Sequence, residues 1–329
     1  GTYLRLGFLQ NARVEVFRKT PAENFLRHPD LPFQELKEIF VEQLQREILL
    51  AKNLLQSQFL EISEILISFA GPVAKDGTVI AAPTLFGSDF KSWNLKQELA
   101  RILADSLLGI DIFIMNDLSA AAYKYAESYS HPFMVLTVSS GIGNKIVWNG
   151  EVLLGQGGQG GELGHYKICV DPEAPICDCG GRGHLGALAS ARGVLRTVIA
   201  ESKSQTAAYK DSCLWALSNG DPNQIDTFKI VQAVHAKDVF VRELMKDSFL
   251  ALAKALSAVY QAVGVEHFII IGGFAHALGS KYYVTELQLA LEQLGSFPRT
   301  QFRIEFGDEL EECLIGLASY WLAKNSRAS

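Results

Sequence analysis

The sequence predicts an α/β protein with two domains. The chain has 329 residues, of which 48% are hydrophobic, and this is enough for two cores of ordinary size. The apolar runs Asp111–Met115 and Val265–Ile271 predict buried strands, and a strongly helix-forming segment follows the first of them at Leu118. One hairpin-like segment begins at Tyr3 and another at Phe133, and this repetition indicates a duplicated domain plan.

The N-terminal part of the chain alternates between strands and helices. Tyr3–Leu9 alternates in the manner of a strand, and Val14–Arg18 is predicted to return beside it, with Asn11 and Ala12 in the turn. From Pro32 to Leu55 apolar residues recur at helical spacing, which predicts an amphipathic helix that faces the core.

The next segments continue this alternation. Ile62–Phe69 is predicted to be a buried strand that ends in Ala70-Gly71-Pro72, and Leu95–Leu108 is predicted to be a helix. By itself, the pair Gly71-Pro72 indicates only a turn.

Asn116 and Asp117 stand where the strand 111–115 meets the following helix. An Asn or Asp at such a junction is most often a helix N-cap. In α/β sheets, however, the carboxyl ends of strands are also where ligands gather. The residues alone therefore predict either a cap or a ligand-binding site here.

A second hairpin is predicted around the segment S-S-G-I-G-N at 139–144, between strands Phe133–Val138 and Lys145–Trp148. The N–H groups and hydroxyls of such a glycine-containing turn can cradle a phosphate. An ordinary hairpin turn is the alternative interpretation.

The C-terminal part of the chain is predicted to be mainly helical, with two further strands. After Ser190 the predicted elements are a helix, an irregular polar segment (Lys203–Thr227), helices from Ile230 and over Val241–Val263, the strand Val265–Ile271 leading into Gly272-Gly273, a last strand (Arg303–Phe306) and a closing helix (Leu314–Leu322).

A candidate metal site lies in the glycine-rich middle of the chain. His165, Cys177, Cys179 and His184 follow one another as H-x11-C-x-C-x4-H, and two thiolates with two imidazoles form a set suited to tetrahedral zinc. Three glycines between Cys179 and His184 would let the backbone fold around one ion. The alternative is a glycine-rich loop with two free thiols and two unrelated histidines.

The composition excludes several classes of protein. The formal charge of -6 and the pI near 5.7 offer no basic surface for nucleic acid. No apolar run approaches the roughly 20 residues that span a bilayer. Five cysteines, two of them in C-x-C, fit a reducing compartment better than a disulfide framework. We expect a cytoplasmic protein that binds neither nucleic acid nor membrane.

The order G-E-L-G-H from Gly161, followed by C-x-C-G-x-x-G-x-L-x-A-x-x-S from Cys177, resembles the zinc-containing signature of the ROK family. This family comprises sugar kinases and sugar-responsive repressors, and its pattern is G-E-x-G-H followed by C-x-C-G-x-x-G-C-x-E. The chain departs from it twice. His184 replaces the usual third zinc cysteine, and Gly186 replaces a glutamate that touches the sugar.

Further segments are similar to the same family. N-D-x-x-A-A-A from Asn116 resembles N-D-A-N-A-A-A, and I-I-I-G-G-F-A from Ile269 resembles I-V-I-G-G-G-V-A. The turn after Val138 resembles G-T-G-I-G-G-G, with Ser139 and Ser140 in place of its first pair and Asn144 and Lys145 in place of its last glycines. G-P-V from Gly71 resembles the segment that lines the sugar cleft. Gly1-Thr2 resembles the end of the phosphate hairpin D-x-G-G-T, whose aspartate and first glycine do not occur in the sequence. If the protein truly lacks them, binding of the nucleotide's metal would be impaired, and if they lie upstream of Gly1, the hairpin is complete.

The resemblance implies a two-domain hexokinase/actin-like (ribonuclease H-like) fold with a ligand cleft between the domains. The expected small α/β domain comprises 1–118 and 310–329, and the expected large α/β domain comprises 119–309 and carries the zinc motif. The family also leads us to expect a homodimer or homotetramer.

The implied activity is transfer of a phosphoryl group from ATP, with Mg²⁺, to a primary hydroxyl of a sugar or sugar-like polyol. Asp117 would be the general base, since phosphoryl transfer needs an aligned acceptor whose proton is accepted. Zn²⁺ would be structural and bound by His165, Cys177, Cys179 and His184. The implied acceptor-binding residues are Gly71, Asn116, Asp117, Glu162 and His165, and the implied nucleotide-binding residues are Thr2, Ser140, Gly141, Gly143, Gly272 and Gly273.

Gly186 predicts an unusual acceptor. Replacing a carboxylate by hydrogen removes a charged hydrogen-bond acceptor, and such bonds contribute roughly 1.5–3 kcal/mol each. Glucose should therefore bind poorly, whereas a seven-carbon cyclitol or a modified hexose fits the change. Neutral family variation is the alternative.

Two other functions are compatible with the same family. The protein could be an ordinary glucokinase or hexosamine kinase, or a non-catalytic sugar-binding regulator. A regulator would carry an added DNA-binding segment before Gly1, and a non-catalytic protein would have no reason to keep Asn116-Asp117 together with Glu162 and His165.

Overall fold

The structure, a computed structural model, describes residues 3–87, 89–295, 301–307 and 312–326. Thr2, a predicted nucleotide-binding residue, lies outside the described residues.

The chain forms two compact units. The first unit comprises Gly1–Ser128, Gly150–Gly160 and Glu311–Ser329, and the second comprises Tyr129–Asn149 and Gly161–Leu310.

Strands and helices alternate through much of the chain. The strands are β1 (Tyr3–Gln10), β2 (Arg13–Pro21), β3 (Glu64–Phe69), β4 (Thr78–Val79), β5 (Trp93–Asn94), β6 (Asp111–Asn116), β7 (Phe133–Val138), β8 (Ile142–Trp148), β9 (Glu151–Val152), β10 (His267–Ile271) and β11 (Arg303–Phe306). The helices are α1 (Phe33–Ser57), α2 (Pro83–Phe86), α3 (Leu95–Leu103), α4 (Asp117–Ala126), α5 (Leu185–Ala189), α6 (Ala191–Ser204), α7 (Thr206–Lys210), α8 (Cys213–Leu217), α9 (Thr227–His235), α10 (Val239–Val263), α11 (Gly273–Leu278), α12 (Ser280–Leu294) and α13 (Glu312–Ser326). Short 3₁₀ turns occur at Leu163–His165 and Pro222–Gln224.

In the first unit, β1 and β2 form an antiparallel hairpin. Asn11 and Ala12 connect the strands with φ angles of 51° and 59°. Two successive residues with positive φ are typical of the turn whose twist suits a two-residue hairpin loop. The predicted hairpin and its turn residues are therefore confirmed.

Two parallel strands of the first unit end level with each other. β3 pairs with β6 from Glu64 opposite Asp111 to Phe69 opposite Asn116. Because the carboxyl ends of parallel strands meet at one edge of a sheet, the residues that follow Phe69 come beside those that follow β6. This pairing brings Gly71 to Asn116.

The helix that follows β6 is covered by the last helix of the chain. α4 packs against α13, and the two backbones approach closely at Gly316. A Cβ atom at Gly316 would lie only 1.8 Å from the carbonyl oxygen of Ala120 and 2.7 Å from the nitrogen of Lys124. The absence of a side chain at Gly316 is thus what permits this packing.

The observed units differ from the domain limits that the sequence suggests. Residues 119–128 lie in the first unit because α4 packs against α13. Residues 150–160 also belong there, and the nitrogen of Val152 donates a 3.4 Å hydrogen bond to the hydroxyl oxygen of Tyr123. The packing of the last helix on α4, rather than the end of β6, sets the boundary of the first unit at Ser128.

Within the described residues, the strands of the second unit lie in the order β11-β10-β7-β8. β10 is parallel to β7 and to β11, and β7 is antiparallel to β8. All five residues of β10 are buried, as the apolar run 268–271 predicts for a central strand. Ile271 pairs with Thr137, so β7 and β10 end side by side.

The second unit differs from the predicted elements in two places. Lys203–Thr227 was expected to be irregular, but it contains α7, α8 and a 3₁₀ turn. These elements are short, and polar side chains cap two of them: Ser212 accepts a hydrogen bond from the nitrogen of Trp215, and Asp221 accepts one from the nitrogen of Asn223. β8 begins at Ile142 rather than Lys145, so Gly143 lies in a strand, opposite Thr137, and not in the turn.

In the first unit, α3 ends at Leu103 rather than at the predicted Leu108, and turns follow it.

Among the described residues, no helix is both long enough and apolar enough to cross a membrane.

Candidate functional site

Asn116 caps helix α4 and also fixes its neighbours. Its Oδ1 accepts a 3.0 Å hydrogen bond from the nitrogen of Ser119, so the N-cap interpretation is right for this residue. Its Nδ2 donates to the carbonyl oxygen of Gly71 and to Oδ1 of Asp117, both at 3.0 Å. One amide therefore joins three of the predicted acceptor-binding residues.

Asp117 is the first residue of α4. Its Oδ1 accepts hydrogen bonds from Asn116 Nδ2 at 3.0 Å and from the nitrogen of Leu118 at 2.8 Å. The start of a helix stabilises a negative charge. The carboxylate is thus held in one orientation at the carboxyl end of β6, where sheet ligands commonly bind.

Gly71 has a structural reason to be glycine. Its φ is 150°, and a Cβ atom there would lie 2.2 Å from the carbonyl oxygen of Ala81. Any side chain would push the 70–72 segment away and would disturb the hydrogen bond from Asn116.

Cys313 on α13 is a neighbour of Asp117 that no local motif indicates. Burial, with smaller contributions from the carboxylates of Asp117 and Glu312, raises the pKa of its thiol to about 12. The thiol therefore stays protonated and unreactive at neutral pH. Its place depends on the packing of the last helix, which the sequence near Asp117 does not reveal.

The turn at Ser139–Gly141 in the second unit is held by the start of α6. The nitrogen of Ser139 donates to the carbonyl oxygen of Gly141 at 3.0 Å. The nitrogen of Ala191 donates to the carbonyl oxygen of Ser139 at 2.9 Å, and Nε of Arg192 donates to that of Ser140 at 3.0 Å. Two successive carbonyl groups are thereby bound within the protein.

Gly272 and Gly273 follow β10 and come beside this turn's strand. Gly272 has a φ of 105°, and a Cβ atom there would lie 2.6 Å from the carbonyl oxygen of Val138. Gly273 is different, because nothing lies within 4 Å of the position of its Cβ atom. Gly272 permits the close approach to β7, and Gly273 leaves space in front of the backbone.

The segment 161–165, which carries Glu162 and His165, is pressed against β8. A Cβ atom at Gly161 would lie 1.8 Å from the carbonyl oxygen of Asn144, and one at Gly164 would lie 2.1 Å from that of Ile142. Both glycines of G-E-L-G-H are therefore required by packing, and the side chains of Glu162 and His165 remain exposed.

Asn144 and Lys145 are the residues of β8 that meet this segment, and the sequence marks them only as departures from the family's glycines. Oδ1 of Asn144 accepts a 3.0 Å hydrogen bond from the nitrogen of Leu163. Lys145 is only 4% exposed, and its Cδ would lie 3.2 Å from a Cβ atom at Gly161. The two larger residues fill and fix a region that glycines would leave open.

The four predicted metal ligands come together. One nitrogen or sulfur atom from each of His165, Cys177, Cys179 and His184 lies within 4.8 Å of the others. Cys177 Sγ is 3.8 Å from Nδ1 of His165, and Cys179 Sγ is 3.3 Å from Nδ1 of His184. Ligands of a tetrahedral zinc ion with bonds of about 2.0–2.3 Å lie roughly 3.3–3.8 Å apart, so both sulfur–nitrogen distances fit such an ion.

Residues 165–184, which we call the metal loop, are held in shape by backbone hydrogen bonds. The nitrogen of Cys177 donates to the carbonyl oxygen of Gly181 at 2.7 Å, and that of Gly183 donates to the carbonyl oxygen of Pro175 at 2.9 Å. Gly181 allows the ring of His184 to approach, since a Cβ atom would lie 2.1 Å from its Cε1. Burial raises the pKa of the Cys177 thiol, so binding a metal must displace a proton there.

Gly186 lies in α5 directly against the segment 161–165. A Cβ atom at Gly186 would lie 3.1 Å from the carbonyl oxygen of Gly164. A side chain here would require a small shift of Gly164. The departure from the family pattern therefore changes both the charge and the packing of the position beside Gly164.

Comparisons with known proteins identify the family of the chain. A model of the ROK family matches residues 27–306. C(7)-cyclitol 7-kinase of Streptomyces hygroscopicus subsp. jinggangensis is 37% identical over 331 residues, covering 98% of this chain and 92% of that protein. Glucokinase of Thermotoga maritima is 32% identical over 199 residues, covering 58% of this chain and 59% of that protein.

Solved structures show the same fold. The ROK family glucokinase from Streptomyces griseus, in complex with glucose and AMPPNP, superposes with a TM-score of 0.72 at 20% identity and covers 97% of this chain and 96% of its own. The ROK hexokinase from Thermus thermophilus gives a TM-score of 0.69 at 23% identity and covers 98% and 96%. This chain belongs to the ROK family and has its α/β, hexokinase/actin-like fold.

Proposed function

We propose that this protein transfers the γ-phosphoryl group of ATP to a primary hydroxyl of a seven-carbon cyclitol or a closely related sugar-like polyol. The observation that carries the proposal is Asp117, whose carboxylate is fixed by Asn116 and Leu118 at the carboxyl end of β6. The similarity to C(7)-cyclitol 7-kinases over nearly the whole chain supports the choice of acceptor.

In this proposal Asp117 accepts the proton of the acceptor hydroxyl as its oxygen attacks the γ-phosphorus. Oδ1 is engaged with two N–H groups, which orient the carboxylate rather than neutralise it. Orientation matters because phosphoryl transfer depends mostly on positioning and on charge stabilisation. Mg²⁺ that arrives with ATP would neutralise charge on the phosphates.

Asn116, Glu162 and His165 would hold the ring hydroxyls of the acceptor. Cys177 is close to Nδ1 of His165, so Nδ1 would face the metal and Nε2 would be available for a hydroxyl. Zn²⁺ fits the two thiolates and two imidazoles and would have a structural role, because four protein ligands leave no open position.

ATP would bind at the Ser139–Gly141 turn and in the space in front of Gly273. The carbonyl groups of Ser139 and Ser140 are bound by α6, and the N–H of Ser139 is bound within the turn, so the N–H groups of Ser140 and Gly141 and the serine hydroxyls are the groups suited to phosphate oxygens. Gly143 would act indirectly through the position of β8, since it lies in that strand. We also propose a cytoplasmic homodimer or homotetramer, as the family leads us to expect.

Gly186 supports a cyclitol over glucose. It leaves no carboxylate beside Gly164, where the family pattern has a sugar-binding glutamate. An acceptor that lacks the corresponding hydroxyl, or is substituted there, loses nothing by this change.

The test is ADP release from MgATP with a panel of seven-carbon cyclitols, glucose, mannose and N-acetylated hexosamines, using wild type and Asp117→Asn. We expect a cyclitol to be turned over well, glucose poorly, and the variant to be nearly inactive. Efficient phosphorylation of glucose or of an N-acetylated hexosamine would show that this sugar, and not a cyclitol, is the acceptor. If no compound of the panel is phosphorylated but the protein binds one of the sugars in calorimetry, the result would point to a non-catalytic sugar-binding protein.

A further inference from the structure

Arg192 lies at the contact between the Ser139–Gly141 turn and the metal loop. Its Nε donates a 3.0 Å hydrogen bond to the carbonyl oxygen of Ser140. Its Nη2 lies 2.9 Å from Oδ2 of Asp178, the residue between the two cysteines of the metal set. One guanidinium therefore joins a predicted phosphate turn to the loop that holds the metal ligands.

The position of the guanidinium suits an anion bound at the turn. Nη2 of Arg192 lies 3.8 Å from where a Cβ atom of Gly141 would stand, so the charged group borders the face of the turn that glycine leaves open. The side chain is 46% exposed and can reach a ligand from solvent. A guanidinium has five N–H donors, so the bonds to Ser140 and Asp178 leave donors for a phosphate.

Stability alone does not account for this arrangement. Ion pairs as exposed as that between Arg192 and Asp178 contribute little to the free energy of folding. Asp178 also holds a second arginine, because Nη1 of Arg196 lies 2.8 Å from its Oδ1. Of the two, only Arg192 has a described hydrogen bond to the turn.

We propose that Arg192 is a nucleotide-binding residue, whose guanidinium binds phosphate oxygens of ATP at the Ser139–Gly141 turn. Asp178 is its positioning residue and keeps the guanidinium against the turn. The planar fork of arginine matches phosphate oxygens, and a fixed positive charge is what phosphoryl transfer requires. This inference rests on the proposed kinase function and adds a residue to its nucleotide site.

The inference explains a second feature of the metal loop. The metal ligands Cys177 and Cys179 flank Asp178, so an ion bound by them would fix the backbone from which the carboxylate reaches Arg192. The metal loop would thereby contribute to nucleotide binding without contact between the metal and ATP.

The experiment compares Arg192→Gln with Arg196→Gln, a control that removes the same charge from the same carboxylate one helical turn away. Binding of MgAMPPNP is measured by calorimetry, and KM is measured separately for ATP and for the acceptor. We expect Arg192→Gln to weaken AMPPNP binding about 10- to 100-fold and to raise the KM for ATP similarly, with the acceptor KM unchanged. Arg196→Gln should stay within about twofold of wild type.

Two further variants separate binding from a structural role. Arg192→Lys keeps the charge but loses the fork, so nucleotide affinity should lie between those of wild type and Arg192→Gln. Asp178→Asn should weaken AMPPNP binding by less than about tenfold, because the arginine remains. Zinc content and thermal midpoint should match wild type in both arginine-to-glutamine variants.

The inference is overturned if Arg192→Gln binds AMPPNP as Arg196→Gln does, or if it raises the KM for ATP and for the acceptor equally while lowering the thermal midpoint. Calorimetry keeps this separate from the proposed function. A wild type that binds AMPPNP but phosphorylates nothing would contradict the kinase proposal and leave the comparison of arginines intact.

Discussion

The Asn116–Asp117 junction and the Gly161–His165 segment are held in place by different means. At the junction, side chains make the bonds, and a single amide joins Gly71, Asp117 and Ser119. In the segment, glycines let backbone touch backbone. The junction keeps the family's pattern, whereas the residues packed on the segment depart from it at Asn144, Lys145 and Gly186. The junction that side chains fix thus keeps the residues proposed for the chemical step, and the departures from the family pattern lie where backbone packing holds the segment.

The largest effect should come from the junction. Asp117→Asn keeps the shape of the side chain but removes its basicity, so kcat should fall about 10²- to 10⁴-fold with KM values nearly unchanged. Asp111→Asn, at the opposite end of the same strand, is the control and should keep wild-type kcat. Retention of activity by Asp117→Asn would show that Asp117 is not the general base.

The metal loop offers the next test. His184→Ala should lower the zinc content from about one ion per chain to nearly none and reduce both activity and thermal midpoint, because structural zinc contributes directly to folding. His184→Cys restores the family's usual ligand and should keep the ion. Metal analysis by mass spectrometry distinguishes the variants, and zinc retained in His184→Ala would contradict the ligand assignment.

Backbone packing of the segment can be tested with two glycines of similar φ. Gly161 (φ 79°) meets Asn144, whereas Gly150 (φ 77°) has nothing within 4 Å of its Cβ position. Gly161→Ala should cost roughly 2–4 kcal/mol of unfolding free energy and most of the activity. Gly150→Ala should cost about 1–2 kcal/mol, the strain of φ alone. Equal losses in urea unfolding would show that packing at Gly161 is not special.

Specificity should respond to Gly186. Gly186→Glu restores the carboxylate of the family pattern, and kcat/KM for glucose should rise about 10- to 100-fold, the value of a charged hydrogen bond. Gly186→Ala places a Cβ atom against Gly164 without the carboxylate, so it measures the packing cost alone. A glucose activity that is the same in both variants would mean that the carboxylate does not reach the sugar.

The smallest effect concerns a region far along the chain from either site. Burial holds the pKa of His267 below its usual range, although the carboxylate of Glu305 opposes this. Below about pH 6.5 the unfolded chain then binds more protons at this histidine than the folded chain, so stability falls as pH falls. His267→Gln should reduce the change in thermal midpoint between about pH 7 and about pH 5. His235→Gln should leave that change as it is in wild type.

Local patterns predict the junction well and the contacts of the segment poorly. Asn116 and Asp117 follow a short apolar strand and precede a run of alanines, so both their place and their geometry depend on neighbours in sequence. The roles of Asn144 and Arg192 depend on partners that are distant in sequence, such as Leu163 and Asp178. No local pattern contains that information.

The same distinction explains the elements that differ from expectation. The polar composition of 203–227 hides short capped helices, because each is too brief to show a helical period. Gly143 resembles a turn residue but pairs with Thr137 in a strand. The clustering of His165, Cys177, Cys179 and His184 was predictable, since their spacing and chemistry are both visible in the sequence.

The packing of α13 on α4 has a consequence for synthesis of the protein. The helix that begins with Asp117 is covered by a helix made almost two hundred residues later, with Gly316 against Ala120. A chain still on the ribosome can complete the second unit's sheet before it possesses that cover. Phosphoryl transfer would therefore switch on only when translation has passed Glu312, so unfinished chains would not consume ATP.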